Sequence, residues 1–240
     1  LITRIICYPV TTGKKKGGSR ASRVRIKSAK RRGVSSRRWL ERQLNDPYVI
    51  QAKEEGYRSR AAFKLLELDV RFHILAPGSR VVDLGAAPGG WTQVAVERVK
   101  AGSRKGGRVV AVDINGMEPV QDAQVIEADV LDIDTPALIQ EALGGPADIV
   151  LSDMASPATG HSATDRLRII GLCEAALAFA GDVLAPDGAF ICKVLGSGAD
   201  AGLLAAIKRA FAVVKHAKPP ASRKGSSEWY VIAQGFKGRA

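Results

Sequence analysis

A chain of 240 residues with 46% apolar content has room for one sizeable α/β domain and a short appendage, while two full domains would be cramped. No apolar run approaches the roughly 18 residues that span a bilayer, so a helical membrane protein is excluded and a soluble one expected. The formal charge of +12 does not describe an evenly basic fold: residues 1–40 hold thirteen Lys or Arg and no acid, whereas the other 200 hold 23 basic and 24 acidic residues.

That asymmetry is the pattern of an arm that binds a polyanion. A solubilising tail and, because the stretch is rich in Arg and Ser, an organellar transit peptide are the other readings. Lys14-Lys15-Lys16-Gly17-Gly18 interrupts the amphipathic helix that a transit peptide needs. Residues 11–36 carry too few apolar side chains to offset their ordering entropy and are expected to be disordered without a partner. The expected organisation is therefore a basic tail over residues 1–36 and one folded domain over 37–240. Cys7, Cys173 and Cys192 show no CxxC or CxxH spacing, so neither a zinc site nor a disulfide framework is expected. A reducing compartment fits, with the cytoplasm expected and the mitochondrial matrix as the alternative.

Short helices are predicted over residues 36–44 and 47–55, anchored by Trp39 and Tyr48. Ser59 is placed to cap a longer helix on which Phe63, Leu66 and Val70 share a face, with Lys64 just off that stripe. Val81-Val82-Asp83-Leu84 then runs into Gly85-Ala86-Ala87-Pro88-Gly89-Gly90, residues too small for a core, and an apolar-periodic segment follows from Trp91 to residue 99. This reads as strand, tight turn and helix. Such a turn sets a ligand against bare backbone at a helix N-terminus, since Gly85, Gly89 and Gly90 lack a Cβ. A carboxylate at Asp83, at the end of a buried strand, calls for a cation or a donor.

Two more strands, residues 108–113 and 124–129, again end in acids, Asp113 and Asp129. The first of these is suited to ribose hydroxyls and the second to an adenine edge. A fourth strand over residues 147–152 runs into Asp153 and a long Pro-, Ser- and Thr-rich loop. A helix over residues 165–184 is predicted to bury Ile170, Cys173, Leu177, Ala180 and Leu184. Pro186-Asp187-Gly188 turns into a fifth strand, residues 189–194, where Lys193 interrupts an apolar run; a structural ion pair and a catalytic group are both open for it. A helix over residues 199–210 and strands over 211–216 and 229–234, the last opened by Glu228, complete the chain. His73, His161 and His216 show no ligand spacing and are read as non-catalytic.

Alternating strands and helices give an open, doubly wound sheet with ligands beyond the carboxyl ends of the strands. Asp83, Asp113, Asp129, Asp153 and Lys193 all map to that edge. The first turn lacks the GxGxxG of a diphosphate binder and offers a carboxylate that would repel one. S-adenosylmethionine suits it better, with a sulfonium, an ammonium, a ribose diol and an adenine to satisfy.

Asp83-Leu84-Gly85-Ala86-Ala87-Pro88-Gly89-Gly90-Trp91, with Ser59-Arg60-Ala61-Ala62-Phe63-Lys64-Leu65 before it and Ser152-Asp153-Met154-Ala155 after it, closely resembles the FtsJ/RrmJ-type ribosomal RNA large-subunit 2′-O-ribose methyltransferases. The likeness runs over about residues 36–235. It implies a Rossmann-like S-adenosylmethionine-dependent fold, a mostly parallel seven-stranded sheet with an antiparallel last strand and helices on both faces. By resemblance, Gly89, Trp91, Asp113, Asp129 and Asp153 contact the cofactor, to which the reading of the turn adds Asp83 and Gly85. The family's catalytic Lys-Asp-Lys-Glu set falls on Lys64, Asp153, Lys193 and Glu228, without a metal. One departure is Ser156, where the family usually has Pro directly after the Ala of this segment.

The resemblance implies 2′-O-methylation of a uridine in large-subunit (23S) ribosomal RNA, in the assembled 50S particle, by a monomer. The transfer is an in-line displacement, with Lys193 removing or orienting the hydroxyl proton. RNA is expected on the tail, Arg58, Arg60, Lys218, Arg223 and Lys224, through phosphates. The rivals are a transfer RNA 2′-O-methyltransferase using the same four residues and a non-catalytic RNA-binding ribosome-assembly factor.

Overall fold

In the computed structural model the apolar runs fold as β1 (Arg80–Leu84), β2 (Arg108–Asp113), β3 (Gln124–Glu127), β4 (Ala147–Ser152) and β5 (Leu184–Leu195), all paired in parallel. Two further strands follow, β6 (Phe211–Ala217) and β7 (Glu228–Phe236). β7 runs antiparallel to both neighbours, in the sheet order β3-β2-β1-β4-β5-β7-β6. The structure describes residues 40–238 apart from 42, 158 and 197–199. Pro47–Ala240 is one compact unit and Leu1–Asp46 groups separately. The expected basic tail and Trp39 lie outside the described residues.

The helices are α1 (Pro47–Glu55), α2 (Ala61–Phe72), α3 (Gly90–Val99), α4 (Thr135–Leu143), α5 (Ser162–Val183) and α6 (Ala201–Ala210). The period-two alternation of each strand sends neighbouring residues to opposite faces. Val81, Val109, Ile191 and Tyr230 pack with α2 and α3, while Val82, Val110, Phe190 and Val231 pack with α4, α5 and α6. Both faces are covered, which is why the central strands read as continuous apolar runs. After β1 the chain builds outward through β2 and β3, then returns to place β4 on the other side of β1. That reversal opens a crevice at the carboxyl ends of β1 and β4.

Several local expectations are corrected. Ser59 does not cap α2: the N-cap position is Arg60, with no side-chain cap, and the Ser59 hydroxyl is buried against Gly90. Val70 is 66% exposed, because α2 turns Ala62, Leu65 and Leu68 to the sheet and Phe63 to α1, leaving the far side to solvent. α5 starts at Ser162, and its buried stripe is Ile169, Cys173, Ala176, Ala180 and Val183 rather than Ile170 and Leu177. Pro186-Asp187-Gly188 does not delay β5. The strand begins at Leu184 and absorbs the turn as an irregularity opposite Ala147 and Ile149, with Asp187 at φ 64°.

Candidate active site

The turn after β1 is shaped by close backbone approach. Gly85 has φ +70°, and a Cβ there would lie 2.9 Å from the Met154 Cα, so only glycine lets this turn meet the segment leaving β4. Gly89, at φ +106°, is the N-cap of α3, and a Cβ on it would meet Arg58 and Val120 at 3.0 Å. Trp91 is buried, donates its indole N–H to the Ala61 carbonyl at 2.8 Å, and rests 5.6 Å from the Tyr230 ring. Gly89 and Trp91 therefore stand behind the turn, while Gly85 faces a cleft of about 410 Å³ walled also by Asp113, Asp129, Asp153 and Met154.

The cleft is of nucleoside size, and among the described residues its walls carry carboxylates but no lysine or arginine. Asp113 accepts hydrogen bonds from Ala87 N at 3.0 Å and from Asn115 N and Nδ2 at 2.8 and 3.1 Å. Asp129 accepts from Leu131 N at 2.9 Å. Asp83 is 1% exposed; the Thr92 hydroxyl donates to its Oδ2 at 2.7 Å, and its buried Oδ1 has no partner. Burial pushes the Asp83 carboxyl up to about 7 against the pull of the Thr92 hydrogen bond, and the charges of Asp153 and Asp113 push the same way as burial. A buried carboxylate oxygen with no partner among the described residues, repelled by Asp153 and Asp113, suits a ligand that brings positive charge.

Beside the cleft lies a second cluster, drawn from four distant segments. Lys193 on β5 is in register with Tyr230 on β7, and Leu195 with Glu228, so alternation turns Lys193, Tyr230 and Glu228 to the α2 face. Lys193 Nζ donates to the Asp153 carbonyl at 2.7 Å and pairs with Asp153 Oδ1 at 3.2 Å. Tyr230 donates its hydroxyl to the same Oδ1 at 2.8 Å. Lys64 Nζ lies 3.2 Å from Glu228 Oε2, 4.0 Å from Asp153 Oδ2 and 5.9 Å from the Tyr230 ring centroid. The structure thus brings Lys64, Asp153, Lys193 and Glu228 together, and Asp153 joins this cluster to the cleft. Burial, reinforced by Asp153, holds the Tyr230 phenol well above its usual range, so it remains a donor at neutral pH. Cys173, on α5, donates its thiol to the Lys193 carbonyl at 2.8 Å from the other side of the sheet.

Sequence reasoning passed over Tyr230 and Thr92. The spacing of Glu228 and Tyr230, two apart in a strand, was the available signal for the first; nothing local marks the second. The RNA contacts expected of three basic residues meet a different geometry. Arg58 donates to the carbonyls of Pro88, Glu118 and Pro119 at 3.2, 2.6 and 2.5 Å, tying the β2–β3 connection to the glycine turn. Arg60 donates to the Ala221 carbonyl, and Lys218 donates to those of Ser226 and Lys224 at 2.6 and 3.5 Å.

The chain is similar in sequence and fold to known proteins. Residues 57–236 match the FtsJ-like methyltransferase family model. A Paramagnetospirillum magneticum protein named ribosomal RNA large subunit methyltransferase E is 61% identical over 92% of this chain and 91% of its own. A Rhodospirillum rubrum protein of the same name is 58% identical over 92% and 84%. A Plasmodium falciparum crystal structure described as a ribosomal RNA methyltransferase superposes with a TM-score of 0.68 at 28% identity, covering 76% of this chain and all of the other. A match that spans β1 to β7 and takes in both the acid-walled cleft and the lysine–carboxylate cluster means that the chain belongs to the FtsJ-like methyltransferase family.

Proposed function

We propose that this protein transfers a methyl group from S-adenosylmethionine to the 2′-oxygen of a uridine ribose in large-subunit (23S) ribosomal RNA, within the 50S particle. The observation that carries this reading is the position of Asp153, which walls the cleft and also holds Lys193 at 3.2 Å. The names of the relatives support the ribosomal RNA substrate. A monomer in the cytoplasm completes the proposal, and among the described residues no helix is long and apolar enough to cross a membrane.

When bound, the cofactor supplies an electrophilic methyl group on a sulfonium. Asp83, buried outside the cleft lining, would favour that positive charge through the carboxylate oxygen that has no partner among the described residues. A carboxylate offers about four lone-pair sites. Three of those of Asp113 are taken by Ala87 and Asn115, which leaves one for a ribose hydroxyl. Asp129 would serve the adenine edge, and Gly85 admits the close approach of a ligand to backbone.

The acceptor hydroxyl is a weak nucleophile and must be held and relieved of its proton. Lys193 Nζ has three valences for hydrogen bonding, and Asp153 engages two. The third would donate to a lone pair of the acceptor hydroxyl and orient it; as the oxygen–carbon bond forms and the methyl–sulfur bond breaks, the hydroxyl proton would pass to the Asp153 carboxylate. Lys64 and Glu228 fix the other side of Asp153, so the cluster pairs two cations with two anions and needs little rearrangement during the reaction.

The test is methyl transfer from labelled cofactor to 50S particles and, separately, to transfer RNA, each from cells lacking the gene. Transfer to 50S particles at a ribose 2′-oxygen, lost in Lys193→Ala, is the expected result. Transfer to transfer RNA alone, or none to either with 50S binding intact, rejects it in favour of one of the rivals.

A further inference from the structure

The segment between β6 and β7 delivers Glu228 to Lys64, and it is pinned at Ala221. The Ala221 side chain is fully buried with Ala52 and Phe63. Its N–H donates to Glu67 Oε2 at 2.7 Å, and its carbonyl accepts from Arg60. Glu67 is steadied in turn by the Tyr48 hydroxyl, which donates to Oε1 at 2.9 Å, and the Arg60 guanidinium lies 5.5 Å over the Tyr48 ring.

From Ala221 the constraint continues toward the cluster. Lys218 Nζ donates to the Ser226 carbonyl at 2.6 Å, Gly196 N donates to that of Ser227 at 2.6 Å, and Glu228 N donates to Ser226 Oγ at 3.0 Å. Glu228 then takes Lys64, which sits one turn before Glu67 on α2. One helix therefore holds both the start of this segment, through Glu67, and its end, through Lys64.

We infer that Glu67 is a positioning residue for methyl transfer, acting through Glu228: by seating Ala221 it sets where the Glu228 carboxylate meets Lys64. The inference rests on reading Lys64, Asp153, Lys193 and Glu228 as the catalytic cluster. Without the seat, the segment loses a charge-assisted hydrogen bond on the buried Ala221 N–H, and Glu228 loses its fixed approach. Displacements of about 1 Å at a reacting group cost on the order of a hundredfold in rate.

The experiment is a double-mutant cycle on the single-turnover rate with 50S particles, with cofactor affinity and thermal midpoint measured on each variant. Glu67→Ala is expected to slow transfer about ten- to a hundredfold, with cofactor affinity unchanged. In a Glu228→Ala background the same change is expected to cost less than about twofold, because its effect passes through the missing carboxylate. Glu67→Gln keeps an acceptor for the Ala221 N–H and is expected within about threefold of the parent. Equal losses in both backgrounds, or no rescue by Gln, overturn the inference while leaving the cluster standing. A Glu228→Ala variant at the parent rate overturns the reading of the cluster itself. If Glu67→Ala is unfolded at assay temperature, Glu67→Asp, shorter by one methylene, goes through the same cycle with the same criteria.

Discussion

The two halves of the site are built on opposite electrostatic plans. Around the tips of β1, β2 and β3 carboxylates accumulate, Asp113 and Asp129 in the cleft wall and Asp83 buried outside its lining, with no lysine or arginine in that wall among the described residues; burial holds the Asp83 carboxyl up near 7. On the β4, β5 and β7 side, two lysines and two carboxylates balance each other at 3.2 to 4.0 Å. In the proposed function the first half awaits a positive ligand, whereas the second is already paired in the free protein. On that reading binding and chemistry are separated on the same edge of one sheet, with Asp153 belonging to both.

Breaking the balanced half should give the largest effect. Lys193→Ala removes the group facing the acceptor and is expected to lower single-turnover transfer by about 10²- to 10⁴-fold with cofactor affinity unchanged by calorimetry. A parallel loss of cofactor affinity would erase the distinction between the halves.

Breaking the acidic half should act the other way. Asp83→Asn is expected to weaken cofactor binding about ten- to a hundredfold, the scale of one charged hydrogen bond, while stabilising the fold. The sign follows from the raised carboxyl: the folded state holds the proton more tightly than the ordinary value of 3.8 allows. Stability from this group is therefore full below about pH 4 and is lost as pH rises toward about 7, a cost on the order of a few kcal/mol by pH 8. Thermal midpoints measured from pH 4 to 8 should fall less in Asp83→Asn than in the parent, and identical profiles would remove the basis for this half.

Arg58→Ala should have a smaller effect, raising the cofactor KM a few-fold by freeing the β2–β3 connection from the glycine turn. Its RNA affinity should keep the parent's salt dependence, since the guanidinium is committed to backbone carbonyls. The smallest effect on turnover is expected from deleting residues 1–36, with low-salt catalysis retained. The slope of log K for RNA against log salt should flatten by about 0.7 to 0.9 for each phosphate that the tail neutralises. An unchanged slope would move RNA binding from the tail to the folded domain.

How much of this was legible depends on how far apart the cooperating residues lie. The acidic half sits in short strand-and-turn motifs, so Asp83, Gly85, Asp113 and Asp129 could be placed at one sheet edge from periodicity alone. The balanced half joins residues 64, 153, 193 and 228; the alternation of elements set Asp153 and Lys193 at the same sheet edge, and only the resemblance brought Lys64 and Glu228 to them. Helical periodicity sets Lys64 only just off the apolar stripe, because it cannot see a partner 164 positions away. Arg58, Arg60 and Lys218 show a related limit: formal charge does not reveal that a cation also donates to carbonyls of its own chain. Glu67 and Tyr230 carried no local mark strong enough to single them out.

By itself the sequence determined the seven strands, the helices other than α4, the doubly wound class and the acids at the strand ends, because hydrophobic period and turn chemistry act over a few residues. Tertiary structure alone decided which strand lies beside which, and so that β7 enters between β5 and β6 and presents Glu228 and Tyr230 to Lys64 and Asp153. The physical reason is that strand pairing and helix docking satisfy long-range packing and hydrogen bonding at once, and no window of local sequence contains both partners of such an interaction.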